Sequence, residues 1–238
     1  MQWRGGSAGD GPDERAPGGK EPSGVFSRRL LADLQARAMA TDPSAVVLVE
    51  GISDCIAVEA TAALYGRNIR SEGVVVVPMG GATNLGQFVA QFGTSGSNAR
   101  LAGLCDLAEE EFFGRTLARA GVAQGADRAA RASAGFFVCE RDLEDELIRA
   151  LGATAVEELI EREGELESLR KLQQMPFHRG RPIEDQLHRF MGVRSGRKYR
   201  YAALLVGALE VVDVPRPLHD LLETVTRPGR RERRTGRS

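Results

Sequence analysis

Apolar residues in this chain come in two rhythms. Val46-Val47-Leu48-Val49 and Val74-Val75-Val76-Val77 are unbroken runs, too dense for half-exposed strands, and read as strands buried on both faces. Leu101 to Cys105 and Phe136-Phe137-Val138-Cys139 read as two more. Between them apolar positions recur at helical spacing. A helix from about Phe26 to Ala40 puts Leu30, Leu31, Leu34 and Ala38 on one face. Further helices are predicted over Cys55 to Tyr65, from a Thr83 or Asn84 cap to Phe92, through about Ala120, and from the acidic run after Cys139 to about Gly152. Strands alternating with helices predict an α/β domain, a Rossmann-like and mostly parallel sheet flanked by helices.

From Thr154 onward the pattern is helical throughout, with Gly164 as a break between Val156 and Gln174. Ile183–Met191, Lys198–Val211 and Arg216–Val225 follow, with Pro217 in the first turn of the last. The expected organisation is a disordered segment over 1–23, an α/β domain with a leading helix over 24–152, a helical C-terminal extension over 153–226 and a basic disordered tail over 227–238. Gly121 to Ser133 carries no pattern that assigns it to an element.

The strand ends change the picture. Val46–Val49 stops on Glu50, Gly51 allows a sharp turn, and Asp54 stands where a helix N-cap is expected. Asp106 ends the third strand, and Glu140, Asp142 and Glu144 follow the fourth. Taken singly these are ordinary caps and solvated first turns. Together they bring acids from three strands to the carboxyl edge of the sheet, where open α/β folds build their sites. Clustered carboxylates repel one another unless a cation compensates. All-oxygen donors, with no CxxC and no paired histidines, favour Mg²⁺ or Mn²⁺ over zinc, and such ions mostly serve phosphate chemistry.

Composition narrows the class further. Net charge is −1, so the chain is not a uniformly basic nucleic-acid or membrane binder, although six arginines fall between Arg227 and Arg237. Three cysteines without a framework point to reduced thiols and a cytoplasmic location. The three histidines (His178, His188, His219) read as surface or structural. No apolar run approaches the roughly 18 residues of a membrane span.

Val-Leu-Val-Glu50-Gly-Ile-Ser-Asp54 resembles the first motif of the Toprim domain, and more closely that of the OLD (overcoming lysogenization defect) nucleases. Val-Pro-Met-Gly80-Gly81-Ala-Thr-Asn84 is similar to that family's Gly-Gly turn, and Leu104-Cys105-Asp106 takes the place of its aspartate motif. Cys139-Glu140-Arg141-Asp142-Leu143-Glu144 resembles its acid-x-Asp-Leu-Glu motif. Ser195-Gly196-Arg197-Lys198-Tyr199-Arg200, with Val214-Pro215-Arg216-Pro217-Leu218 beyond it, resembles its lysine helix and Pro-x-Pro-Leu helix.

The resemblance implies a Toprim-like fold and a Mg²⁺- or Mn²⁺-dependent endonuclease. Glu50, Asp54, Asp106, Asp142 and Glu144 would hold metal, with Glu50 also moving a proton. Lys198, an ordinary surface lysine by its sequence alone, would sit near the scissile phosphate. DNA would be held through its phosphates by Arg197, Lys198 and Arg200, with little sequence preference. The chain departs from the family in two places. Ala108 stands where the second acid of Asp-x-Asp belongs, which leaves Glu109 or Glu110 as substitutes. There is also no G-x-x-x-x-G-K-[ST] loop, so an ATPase would be a separate chain or the module would work alone, as an oligomer or otherwise. The competing reading is a catalytically degraded Toprim module that binds nucleic acid or an ATPase partner. A phosphatase of the haloacid-dehalogenase type is disfavoured, because no second aspartate stands two residues after Asp106.

Overall fold

A computed structural model describes residues 23–93, 96–97, 99–193 and 195–226. The N-terminal segment and basic tail expected to be disordered lie outside the described residues, apart from Ser23 at the start of the first helix. Four strands, β1 (Ala45–Val49), β2 (Val74–Pro78), β3 (Arg100–Asp106) and β4 (Phe136–Cys139), form one sheet in the order β2-β1-β3-β4. Every pairing is parallel, with Val47 opposite both Val76 and Ala102, and Cys105 opposite Val138. The chain steps from β1 outward to β2, then returns to β3 on the other side of β1. The reversal opens a crevice between the carboxyl ends of β1 and β3, the place where such sheets bind ligands.

The dense valine runs are explained by cover on both faces. Ala45, Val47 and Val49 point into one apolar cluster, Val46 and Leu48 into another. The second cluster is closed by α3 (Leu85–Phe92), α4 (Glu110–Arg119) and Ala38 of α1 (Ser23–Met39). The first is closed by α2 (Ile52–Leu64) and by helices from the C-terminal part of the chain. These comprise α6 (Leu143–Leu151), α7 (Ala153–Arg162), α8 (Leu166–Gln174), α9 (Ile183–Gly192), α10 (Ser195–Gly207) and α11 (Arg216–Thr226). Tyr201, Leu205, Leu218 and Leu222 share one core with β1, so the C-terminal helices are part of the sheet's own packing.

The unassigned stretch 121–133 contains a short helix, α5 (Arg128–Ser133), capped by the Asp127 carboxylate, which accepts the Ala130 N–H at 2.9 Å. The helix after β1 begins at Ile52 rather than Cys55. Gly51, in extended conformation, is its N-cap, and Asp54 lies inside the first turn. Gly164 does separate two helices, as α7 and α8.

Candidate metal and phosphate site

The end of β1 is fixed by its neighbours. The Glu50 carbonyl accepts the N–H groups of Gly80 and Gly81 at 2.9 and 3.2 Å, which ties the turn after β2 to the turn after β1. Gly80 has φ +78, which favours glycine, and a Cβ there would also push aside Leu31 Cδ2 of α1 at 2.8 Å. Gln35 of the same helix donates to the Pro78 and Met79 carbonyls at 2.9 and 3.2 Å. Helix α1 is thereby fastened across the carboxyl edge. In the first turn of α2 the Asp54 carboxylate accepts the Gly51 N–H at 2.8 Å, which holds it toward the crevice.

A cavity of about 350 Å³ opens at this edge. Glu50, Asp54, Asp106 and Glu144 line it together with Lys198, and α1 contributes Arg28. Glu144 comes from the first turn of α6 and is almost fully buried; Lys198 Nζ lies 3.1 Å from its Oε1. Lys198 and Arg28 together do not match four carboxylates in charge, and the proton affinities record the imbalance. Burial, then the charges of Glu50 and Asp54, push Asp106 up to about 8. Burial and Glu144 raise Asp54, against the pull of Lys198 and of the Gly51 N–H. Burial and the charge of Glu109 raise Glu50, although the Asp106 backbone N–H and Lys198 act the other way. Lys198 loses some proton affinity to burial and regains more from Glu144 and Asp54, so it stays a firm cation.

Asp142 is placed differently. One carboxylate oxygen caps α6 through the Asp145 N–H at 2.9 Å, and the other lies 2.5 Å from His188 Nε2. Burial pushes its pKa up, but the His188 contact and the cap outweigh it and the net shift is downward. Asp142 therefore adds negative charge beside the cavity without lining it. Arg197 is a correction to the expected phosphate contacts. It is 6% exposed and bonds Glu165, the Phe190 carbonyl and Ser168, so it is a packing residue. Arg200 is exposed but pairs with Glu163 and Glu165.

Three residues near the acids gain no site role from the sequence, although Tyr199 falls within its lysine motif. Arg28 belongs to an amphipathic helix whose polar face gives no hint of a site. Tyr199, beside Lys198, also lines the cavity. His188 has no partner at metal-pair spacing, and its contact with Asp142 joins residues 46 apart. Cys55, Cys105 and Cys139 are buried free thiols; burial pushes the first two up to about 12, which disfavours the nucleophilic thiolate form.

Among the described residues, no three acidic, histidine or cysteine side chains stand close enough to hold an ion in their present rotamers. The fit to a metal lies in the donor chemistry. The donors are hard oxygens, their proton affinities are raised by mutual repulsion, and the buried Glu50 Oε1 has no hydrogen-bond partner at all. A hard cation would compensate such a donor set.

A parallel sheet in this order, with acids gathered at the β1/β3 crevice and a lysine brought over them by a C-terminal helix, defines a Toprim-type fold. Residues 44–107 match the model of the "Overcoming lysogenization defect protein-like, TOPRIM domain". The chain is similar to the C-terminal region of the Xanthomonas campestris pv. campestris OLD protein at 27% identity, over 77% of this chain and 92% of that one, with a TM-score of 0.62. The C-terminal region of the Burkholderia pseudomallei OLD protein shares the fold at 21% identity, over 77% and 97% of the two chains, with a TM-score of 0.60. No curated protein matches. Residues 44–107 thus carry the likeness to an OLD-like Toprim domain, and the wider chain shares the fold of OLD C-terminal regions.

Proposed function

We propose that the chain is a divalent-metal-dependent nuclease module that hydrolyses phosphodiester bonds in DNA. The observation that supports it most is the meeting of Glu50, Asp54, Asp106 and Glu144, from three strand ends, with Lys198 in one cavity. Those four acids would hold Mg²⁺ or Mn²⁺, with Asp142 adding charge from the start of α6. Such an ion, when bound, lowers the proton affinity of water and offsets charge on phosphate oxygens. Glu50 would take the proton from the attacking water. Lys198 offsets charge developing on the leaving oxygen. Arg28 and Lys198 supply the positive lining that meets the DNA phosphates, contacts that carry no base information. A separate ATPase chain is the partner that kinship to OLD proteins suggests. Among the described residues no helix is long and apolar enough to cross a membrane.

A second reading, a Toprim module that binds nucleic acid without cutting it, is favoured by one observation. Exposed Ala108 stands where a second site acid was expected. Supercoiled plasmid incubated with Mg²⁺ or Mn²⁺, without ATP, separates the two. Wild type should give nicked product, and Glu50→Ala and Asp106→Ala should give none. Nicking that persists in both variants would place the chemistry elsewhere. Plasmid binding without nicking under either metal would favour the second reading.

A further inference from the structure

The loop between α8 and α9, residues 175–182, carries two arginines, a histidine and no acid around Phe177. Phe177 is 69% exposed, and Met175 is exposed beside it. A lone exposed apolar side chain is ordinary, and Val212 at 89% is one. Phe177 differs because the loop is built to hold it out. Arg181 lays its guanidinium over the ring, 4.1 Å from the centroid, and its Nε donates to the Phe177 carbonyl at 3.0 Å. The ring of buried His178 packs against it at 85°, with centroids 5.1 Å apart. Gln186, buried in α9, donates to the carbonyls of His178 and Arg181 at 3.3 and 2.8 Å. The phenyl ring is fixed in place and left in water.

The charges point to the kind of partner. On the elements that flank the loop or touch them, Arg141, Arg170 and Arg197 each pair with a carboxylate. Arg179 and Arg181 have no acidic partner among the described residues, and Arg179 gives one N–H to the Gln174 carbonyl at 3.1 Å. A planar apolar face between two uncompensated guanidinium groups suits a flat ring joined to an anion, which is a nucleobase with its phosphate. A protein partner calls for a contiguous apolar patch, and here charge surrounds the ring. Helix α9 relates the loop to the crevice. It starts at Ile183, where the loop ends, and roughly 8 Å along its axis His188 meets Asp142, while Asp185 between them pairs with Arg141.

We propose that this loop is a binding platform for single-stranded nucleic acid, with an unpaired base stacked on Phe177 and the flanking phosphates met by Arg179 and Arg181. The proposal rests on the nuclease reading above and deepens it by naming the form of the substrate. In a duplex the base faces are covered by one another, so only an unpaired base offers its face to the ring. Stacking is blind to base identity, because every base has such a face. The chemistry is shared by DNA and RNA strands.

Fluorescence anisotropy of labelled oligo-dT, oligo-rU and a DNA duplex, in EDTA so that no metal chemistry intervenes, tests this. Phe177→Leu keeps an apolar side chain and removes the stacking face. It should weaken single-strand binding about fivefold or more and leave duplex affinity within about twofold of wild type. Phe177→Trp should hold the single strands at least as tightly as wild type. Arg179→Ala should lower the slope of log K against log salt by about 0.7, the share of one phosphate contact on a single strand. Each variant should melt as wild type does, since these side chains are exposed. The tighter of oligo-dT and oligo-rU identifies the source of the strand. Single-strand binding by Phe177→Leu within about twofold of wild type overturns the proposal, and plasmid nicking by the same variant would leave the nuclease reading standing. Equal losses for strand and duplex overturn it as well, since no unpaired base would be involved. Self-association of wild type that Phe177→Leu abolishes, with strand binding kept, would make the loop a protein contact and overturn it. Failure of wild type to bind any of the three overturns this inference, and metal-dependent nicking of plasmid then decides the nuclease reading separately.

Discussion

Glu165 and Glu50 are both partly buried carboxylates facing α10, and the protein treats them in opposite ways. Glu165 is met by Arg197 Nε at 3.0 Å, Arg200 at 2.9 Å and the Tyr201 hydroxyl at 3.1 Å. Burial pushes its pKa up, but Arg197 and its companions pull it below the ordinary carboxylate range. Glu50 has a buried oxygen with no donor, and its pKa is raised. One helix supplies both environments, since Arg197, Arg200 and Tyr201 turn toward Glu165 while Lys198 turns toward the acids at the crevice. The Glu165 network is an anchor that fixes how α10 lies on the sheet, and so where Lys198 sits. The crevice is left short of positive charge. A structural carboxylate is saturated with donors; these acids are held in place and left undersupplied.

The largest effect that would break this contrast is on the anchor side. Arg197→Ala leaves Glu165 without its buried partner and empties the space over the Phe190 ring, where the guanidinium lies 3.8 Å from the centroid. Arg200 and Tyr201 still meet Glu165, so the cost should be about 1–3 kcal/mol of folding stability, set by the Phe190 carbonyl left without its donor, and read as a lowered urea midpoint. A loss near zero would mean that α10 is positioned by its apolar face alone. Plasmid nicking in the surviving folded fraction should fall too, because Lys198 loses its register.

On the site side the sign reverses. Asp106→Asn removes a carboxyl that folding forces to hold its proton, and in metal-free buffer near neutral pH it should stabilise the protein by about 1–2 kcal/mol. The same imbalance fixes the pH dependence. A carboxyl whose folded-state pKa is raised keeps its proton in the native state after the unfolded chain has released it. Stability is therefore lost as pH climbs from the ordinary value of 3.8 toward the folded value of about 8. Metal-free wild type should melt at a lower temperature at about pH 8 than at about pH 5.5, and Asp106→Asn or added Mg²⁺ should flatten the slope. Melting that rises over that interval would contradict an undersupplied crevice.

Much of this contrast was legible in the sequence, and the remainder was hidden for definite physical reasons. Strands β1 and β2 are legible because burial on both faces demands unbroken valine runs. Glu50, Asp54, Asp106 and Glu144 are legible because a strand end is a fixed address in an α/β sheet. Arg197 and Lys198 are adjacent in sequence and alike in charge. Only the packing of α10 between α2 and the Glu165 turn sends one inward and the other to the site. Asp142 fits the motif, yet a histidine from α9 and its own helix engage both of its oxygens. That Glu110 is engaged by Arg128 and the buried Arg131 is visible only in the fold, since the residues lie 18 and 21 positions apart. Helix α1 shows its amphipathic face in the sequence, but its fastening across the edge depends on Gln35 and on a glycine that lets Leu31 approach.

Arg28 gives the smallest effect and the finest test of that fastening. It is exposed, lines the same cavity as the acids, and belongs to a helix outside the span that matches the family. If the crevice is short of positive charge because a metal completes it, Arg28 should act on the substrate's phosphates and leave the metal alone. Arg28→Ala should therefore leave Mn²⁺ affinity unchanged. It should weaken DNA binding several-fold and reduce the slope of log K against log salt by about one, the signature of a single lost phosphate contact. The decrease should be uniform across DNA sequences, since a phosphate contact carries no base information. An unchanged salt slope would reduce α1 to a cover for the Gly80 turn, and a changed Mn²⁺ affinity would mean that Arg28 belongs to the charge balance of the acids themselves.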